Sequence, residues 1–133
     1  MIQSVLETTS LNFSLFPQVR VLVAGGCEEW CVSNPAMSSA EMYDPVTNTW
    51  TPVADLPTTI SSAKMELLDG LPTIVGGWND DIDTENNILY QYHPDLDQWK
   101  AHPDAKMRIA RSSPAVFQVP RQLFASCNAE QNP

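Results

Sequence analysis

The sequence predicts an all-β fold made of two four-stranded antiparallel units followed by one further strand. Short apolar runs are punctuated by Gly-Gly pairs and proline-containing turns, and stretches with helical spacing are scarce. A set of landmarks occurs twice in the same order, and the copies lie about 50 residues apart, the length of a supersecondary unit that buries its faces against its own copies.

The landmarks fix the elements in order. VLVAGG (Val21 to Gly26) returns as PTIVGG (Pro72 to Gly77), and AEMYDPVTNTW (Ala40 to Trp50) returns as ILYQYHPDLDQW (Ile88 to Trp99). Ser61-Ser62 returns as Ser112-Ser113. An apolar run ending in paired glycines suits a strand buried on both faces, with Gly25, Gly26, Gly76 and Gly77 allowing a sharp turn and close approach of other backbone. Tyr43-Asp44-Pro45 opens a turn in which Pro45 fixes φ and Asp44 and Asn48 bond to nearby backbone; Tyr92, His93 and Pro94 take the same places in the second copy. Trp50 and Trp99 open the strands that follow and bring large apolar surfaces to the packing between sheets. The first unit therefore has strands near 11–16, 20–25, 40–44 and 50–53. The second has strands near 62–68, 72–77, 88–93 and 99–102. Long loops run over Cys27–Ser39 and Trp78–Asn87, and Ser113–Val119 reads as an additional strand. The expected organisation is an N-terminal extension at 1–9, units at 10–54 and 55–103, the extra strand within 104–120 and a loose tail at 121–133.

The glycine pair, the Tyr-Asp-Pro turn and the tryptophan, met twice in this order between residues 10 and 119, resemble kelch repeats. The resemblance implies that each repeat is one four-stranded blade of a β-propeller, so the chain is a partial propeller of two blades plus one closing strand. Some positions depart from the family pattern. His93 stands where the turn has Asp, Ile60 stands where Arg111 follows the second copy, and Pro72 starts a strand. A closed propeller has roughly four to eight blades. Two would leave sheet faces open, so further blades or self-association are needed to complete a ring, and the C-terminal part of a longer protein is the leading expectation. Kelch propellers commonly close by a strand donated from one terminus, and Ser113–Val119 fits that role.

The charge of -9 argues against nucleic-acid binding and against docking on anionic lipid, and no run approaches the ~18 apolar residues of a membrane span. No secretory signal is visible, which favours the cytoplasm slightly over an extracellular location. The three cysteines, Cys27, Cys31 and Cys127, are expected as free thiols; a Cys27–Cys31 disulfide requires a curled loop and an oxidising compartment. Asn79, Asp80, Asp81, Asp83 and Glu85 share one loop but do not follow the calcium-binding EF-hand order, so solvated acids are expected rather than a metal site. His93 and His102 lie in no nucleophile motif, and neither glycine pair is followed by Gly-Lys-Ser/Thr. No enzyme, metal or cofactor is expected.

The function expected is a non-catalytic protein–protein interaction module, its loops presented to a protein partner. The contact candidates are Trp30, Trp78, Asp80, Asp81, Asp83 and Glu85, which combine aromatic anchors with acids suited to a basic partner. The family resemblance implies substrate recruitment to a cullin-type ubiquitin ligase as one form of that role. An extracellular or adhesion kelch protein, favoured by a Cys27–Cys31 disulfide or a glycan on Asn12, and a fragment of a kelch-type enzyme are the alternatives.

Overall fold

The computed structural model describes residues 3–6, 19–28 and 35–120. Its strands are β1 (Gln3–Leu6), β2 (Arg20–Ala24), β3 (Ala40–Asp44), β4 (Thr49–Val53), β5 (Ile60–Ser61), β6 (Lys64–Leu68), β7 (Leu71–Val75), β8 (Trp78–Asn79), β9 (Thr84–Glu85), β10 (Ile88–His93) and β11 (Gln98–Lys106). The first blade is the antiparallel meander β1-β2-β3-β4, and the second is β6-β7-β10-β11. A small sheet, β5-β8-β9, joins the connection between blades to the long loop of the second.

Two sequence expectations change. The strand paired with β2 is Gln3–Leu6, in register Gln3↔Val23 to Leu6↔Arg20, so the segment expected as an N-terminal extension contains the fourth strand of the first sheet. The main-chain edge of β2 selects its partner by hydrogen bonding, not by nearness along the chain; the expected strand at 11–16 lies outside the described residues. Ser113–Val119 forms no ladder. It lies beside β6, touching it through Gln118 Nε2, which donates to the Leu67 carbonyl at 2.6 Å. Extended backbone becomes a strand only where another strand's amides meet it, and none among the described residues does so.

The core lies between the blades. Side chains alternate along each strand, so Leu22 and Ala24 of β2 share a face with Met42 and Ala40 of β3. This downstream face of blade 1 packs on the upstream face of blade 2, where Met65, Ile74, Tyr90, Tyr92 and Trp99 are buried. Ile60, fully buried, and Leu56 bring the connection between the blades into the same cluster. Burial of this kind, at about 25 cal/mol per Å² of apolar surface, is the main force holding one blade to the next.

The glycine pairs are crossing points. Gly26 N donates to Ile60 O at 2.7 Å, and Gly77 N donates to Arg111 O at 3.0 Å. Each pair is thus crossed by the chain leaving its own blade, and the crossing residues repeat with the glycines. A Cβ on Gly25 would sit 2.5 Å from Ile60 O, and one on Gly76 would sit 2.6 Å from Arg111 O. Both glycines also have positive φ, 63° and 71°. The serine echo has the same origin. Ser62 and Ser113 both adopt φ near 50°, and Ser113 N donates to Ser62 O.

The aromatic landmarks close the other end of each blade. Tyr92 and Trp99 face each other across the β10–β11 pair with ring centroids 5.1 Å apart, as Tyr43 and Trp50 do at 5.0 Å. Trp99 Nε1 donates to Ala54 O at 2.8 Å, and Ala54 N donates to Asp97 Oδ1 at 2.8 Å. Tyr92 Oη donates to the same carboxylate oxygen at 2.8 Å. Blade 2 thereby grips both polar groups of one peptide residue in the segment leaving blade 1. In the turn of blade 1, Asp44 Oδ1 accepts from Val46 N, whereas in blade 2 the His93 backbone carbonyl accepts from Leu96 N. A main-chain bond therefore replaces the missing aspartate.

These contacts set two expected outcomes. Gly76→Ala should cost on the order of 2–4 kcal/mol by chemical denaturation, because strain and a backbone clash combine. Gly70→Ala, at φ 78° with nothing within 4 Å of the added Cβ, should cost only about 1 kcal/mol. The pH dependence should fall away at both ends. Burial and the Asp97 hydrogen bond push the Tyr92 hydroxyl up to about 12, so its contribution is whole below pH 10 and is lost as pH rises through about 12. The bonds from Ala54 N and Tyr92 hold Asp97 below the ordinary 3.8, so its contribution is present above that value and lost as pH falls through the lower folded one. Denaturation midpoints across pH check both, and Tyr92→Phe should flatten the alkaline limb.

Candidate functional site

The long loop of blade 2 is built on its base rather than left free. Asn86, 4% exposed, donates from Nδ2 to Gly76 O at 3.1 Å and to Ile88 O at 2.7 Å, while its backbone N donates to Gly77 O. These bonds pin the returning arm of the loop to the glycine pair. Above them β8 pairs with β9 on one side and with β5 on the other, in registers Trp78↔Glu85 and Ser61↔Trp78.

The acids of this loop divide into two groups. Asp81 accepts from Thr59 N at 3.0 Å and from Thr59 Oγ1 at 2.9 Å, and also from Thr58 Oγ1. These donors hold its carboxyl below the ordinary carboxylate value. Asn79 Oδ1 accepts from Asp81 N and Thr58 Oγ1, fixing the turn from the other side. Asp80 accepts from Ala36 N. This ties the loop to the corresponding loop of blade 1, whose Cys27 bridges back to Ala36. Asp80 and Asp81 are therefore exposed but engaged in structure, not merely solvated. Asp83 is exposed at the tip, with Ile82 67% exposed beside it, and Glu85 is exposed lower on the returning arm, in β9 opposite Trp78. No lysine or arginine pairs with this tip among the described residues, where Arg20–Asp44 is the ion pair at 3.2 Å.

The five contact candidates among the described residues, Trp78, Asp80, Asp81, Asp83 and Glu85, spread from the base of the loop to its tip. Trp78 is half-buried in the ladder at the loop base, not at its tip. Trp30 lies outside the described residues. Asp83 shares the turn with Ile82, which the sequence does not single out, and Glu85 pairs with Trp78 at the other end of the small ladder. Thr58, Thr59 and Asn86 were also missed. Asn86 had a weak signal, an Asn two residues before a bonded amide, here Ile88 N to Oδ1 at 3.1 Å. Cys27 is disulfide-bonded, which corrects the expectation of a free thiol there. The bridge to Ala36 supplies the curl that such a bond needs.

Among the described residues both outward sheet faces stay open. The upstream face of blade 1 carries Val23, Glu41 and Trp50 along a cleft of about 350 Å³. Trp50 is 51% exposed, against 7% for Trp99 at the equivalent place. The downstream face of blade 2 forms a cleft of about 530 Å³ with Thr73, Val75 and Leu89 on one side and Val116–Val119 on the other. Each face is one that a neighbouring blade covers elsewhere in the molecule.

The Kelch motif family model matches residues 20–57, from β2 past the Tyr43-Asp44-Pro45 turn and Trp50. Kelch-like protein 31 of Homo sapiens is 31% identical over 91 residues, 68% of this chain and 14% of that protein. The chain belongs to the kelch-repeat family. Kelch-like protein 35 of Mus musculus is 34% identical over 70 residues, 52% of this chain and 12% of that protein. Among solved structures, YjhT aligns with a TM-score of 0.56 at 15% identity over 67% of this chain and 35% of that one, a likeness of fold. The kelch repeats here thus span about a seventh of the first curated relative, and their fold is a partial propeller whose ring is not closed.

Asp81→Ala should loosen the loop while leaving the blades intact. Hydrogen exchange should quicken at the Thr59 amide by at least tenfold, with β10 amides unchanged. In the unsubstituted chain the Asp81 contribution is present above pH 3.8 and fades as pH falls through the depressed value, so the same amide should lose protection in acid.

Proposed function

We propose that this kelch module binds a protein partner through the loop face of blade 2, with Ile82, Asp83 and Glu85 as the contact. The observation that carries the reading is a loop braced at its base, with an exposed tip. Asn79, Asp80, Asp81 and Asn86 spend their hydrogen bonds holding the loop in place, while Ile82 and Asp83 at its tip and Glu85 on its returning arm are exposed. Such preorganisation reduces the ordering cost of association. The chemistry suits an apolar pocket flanked by lysine or arginine, and the overall charge of -9 steers the same class of partner.

Because the chain spans a small part of its relatives, the whole protein's activity is read from the family. The finer proposal is substrate recruitment to a cullin-type ubiquitin ligase, the loop face holding the substrate and a BTB domain elsewhere in a longer protein holding the ligase. The disulfide at Cys27 favours a second reading, an extracellular kelch protein, because such bonds persist in oxidising compartments.

Quantitative affinity capture with the longest natural form of the protein tests the first reading. Ile82→Ala combined with Asp83→Lys and Glu85→Lys should remove specific partners at least tenfold while leaving the melting temperature within a few degrees. Retention of every partner would refute the loop-face assignment. Recovery of a cullin in the same capture would support the finer role. Differential alkylation of Cys27 in native tissue separates the second reading from the first.

A further inference from the structure

The two blades differ in length at one place. Trp50 and Trp99 are 49 positions apart, but the exit residues Leu56 and Met107, which donate their amides to Ser38 O and Asn87 O, are 51 apart. Blade 2 thus carries two more residues between its tryptophan and its exit. They are absorbed where the β10–β11 ladder shifts register. Ile88 and Tyr90 face Lys106 and Ala101, so His102 to Ala105 bulge from the strand.

An imidazole closes this bulge. His102 Nδ1 accepts from Asp104 N at 3.3 Å and from Ala105 N at 3.0 Å. The Asp44-Pro45 turn has the same pattern, with Asp44 Oδ1 accepting from Val46 N and Thr47 N. His102-Pro103 repeats it with a ring nitrogen in place of a carboxylate oxygen. The two acceptors behave differently in acid. A ring nitrogen accepts only while it lacks a proton, so the bonds assign the Nε2–H tautomer, and in an imidazolium both nitrogens are donors. Imidazole is the side chain that ordinarily gains its charge between about pH 8 and pH 5.

We propose that the His102 turn is a pH-sensitive latch on the base of the blade 2 loop, closed while the imidazole is neutral and opened when it is protonated. Protonation sets a ring N–H against two amide N–H groups, so the turn's contribution is present at the higher pH and lost as pH falls. The charged groups of β11 itself are Lys100, Asp104 and Lys106; β10, paired with it, brings the Tyr90 hydroxyl and His93, and the exit segment brings Arg108. No carboxylate forms an ion pair with His102 among the described residues, so no salt bridge offsets the loss of the amide bonds. The effect has a short path to the loop. Two positions past Ala105, Met107 N donates to Asn87 O at 2.9 Å, and Asn87 follows Asn86, which pins the returning arm to the glycine pair. Opening frees the arm on which Glu85 stands, so a partner held there is released in acid. That consequence rests on the loop-face reading; the latch itself does not.

The test reads the latch without a partner, in the whole chain labelled with ¹⁵N. Between pH 8 and pH 5 the protection factors of the Ala105 and Met107 amides should fall at least tenfold, while those of the β7 amides hold. His102→Asn supplies an oxygen acceptor at both pH values and should keep both amides constant, although His93 still titrates in that variant. The other titrations lie outside this range, Asp81 and Asp97 below 3.8 and Tyr92 at about 12. Unchanged protection in the unsubstituted chain, or an equal fall in His102→Asn, would overturn the proposal. So would a fall at Ala105 with Met107 unmoved, since the turn would then not reach the loop.

Discussion

Ala54 belongs to neither blade's ladder, yet blade 2 holds both of its backbone groups. Asp97 takes the N–H and Trp99 supplies a donor to the carbonyl, and Tyr92 fixes Asp97. A net hydrogen bond contributes about 0.5–1.5 kcal/mol, but the same geometry seats the Trp99 ring, whose loss from a core costs about 3–5 kcal/mol. The grip also sets where the connection starts toward Leu56 and Ile60, the residues that cross Gly25 and Gly26. One peptide unit thus couples the aromatic end of blade 2 to the glycine end of blade 1.

This coupling explains why the repeat is legible in the sequence and why parts of the molecule are not. The strands of blade 2 follow the Gly-Gly, Tyr and Trp landmarks closely because each landmark is a contact between consecutive blades. A glycine is needed where a carbonyl lies too near for a Cβ, and a tryptophan where a carbonyl awaits a donor. The first strand carries no such landmark. Its place is set by the free edge of β2, which takes Gln3–Leu6, and no local pattern announces that pairing. Ser113–Val119 has the composition of a strand and forms no ladder among the described residues, because a ladder needs a second strand that composition does not supply. The small sheet β5-β8-β9 was hidden for the opposite reason. Its strands are two residues each, too short to show a period.

The candidate site shows the same division. Acidic composition marked the right loop but could not separate carboxylates that brace it from those that face outward. Asp81 differs from Asp83 because Thr58 and Thr59 lie within its reach, 22 or 23 positions away in the chain. Ile82 was passed over because an isolated apolar residue in a loop carries no signal until its exposure is known. A kelch blade therefore divides its labour. Sheet faces and glycine crossings are spent on joining repeats, and the loop above the glycines is held by its own acids and amides.

The most direct test of this account is hydrogen exchange at the Ala54 amide, followed by NMR in the whole chain. Ala54 lies outside every strand, so its protection can come only from the carboxylate of Asp97 and the packing of Trp99 above it. The expected result is exchange as slow as that of the β10 amides, abolished in Asp97→Ala without loss of the β10 signals. Exchange at the rate of an open loop in the unsubstituted chain would contradict the claim that blade 2 grips blade 1 through this one residue.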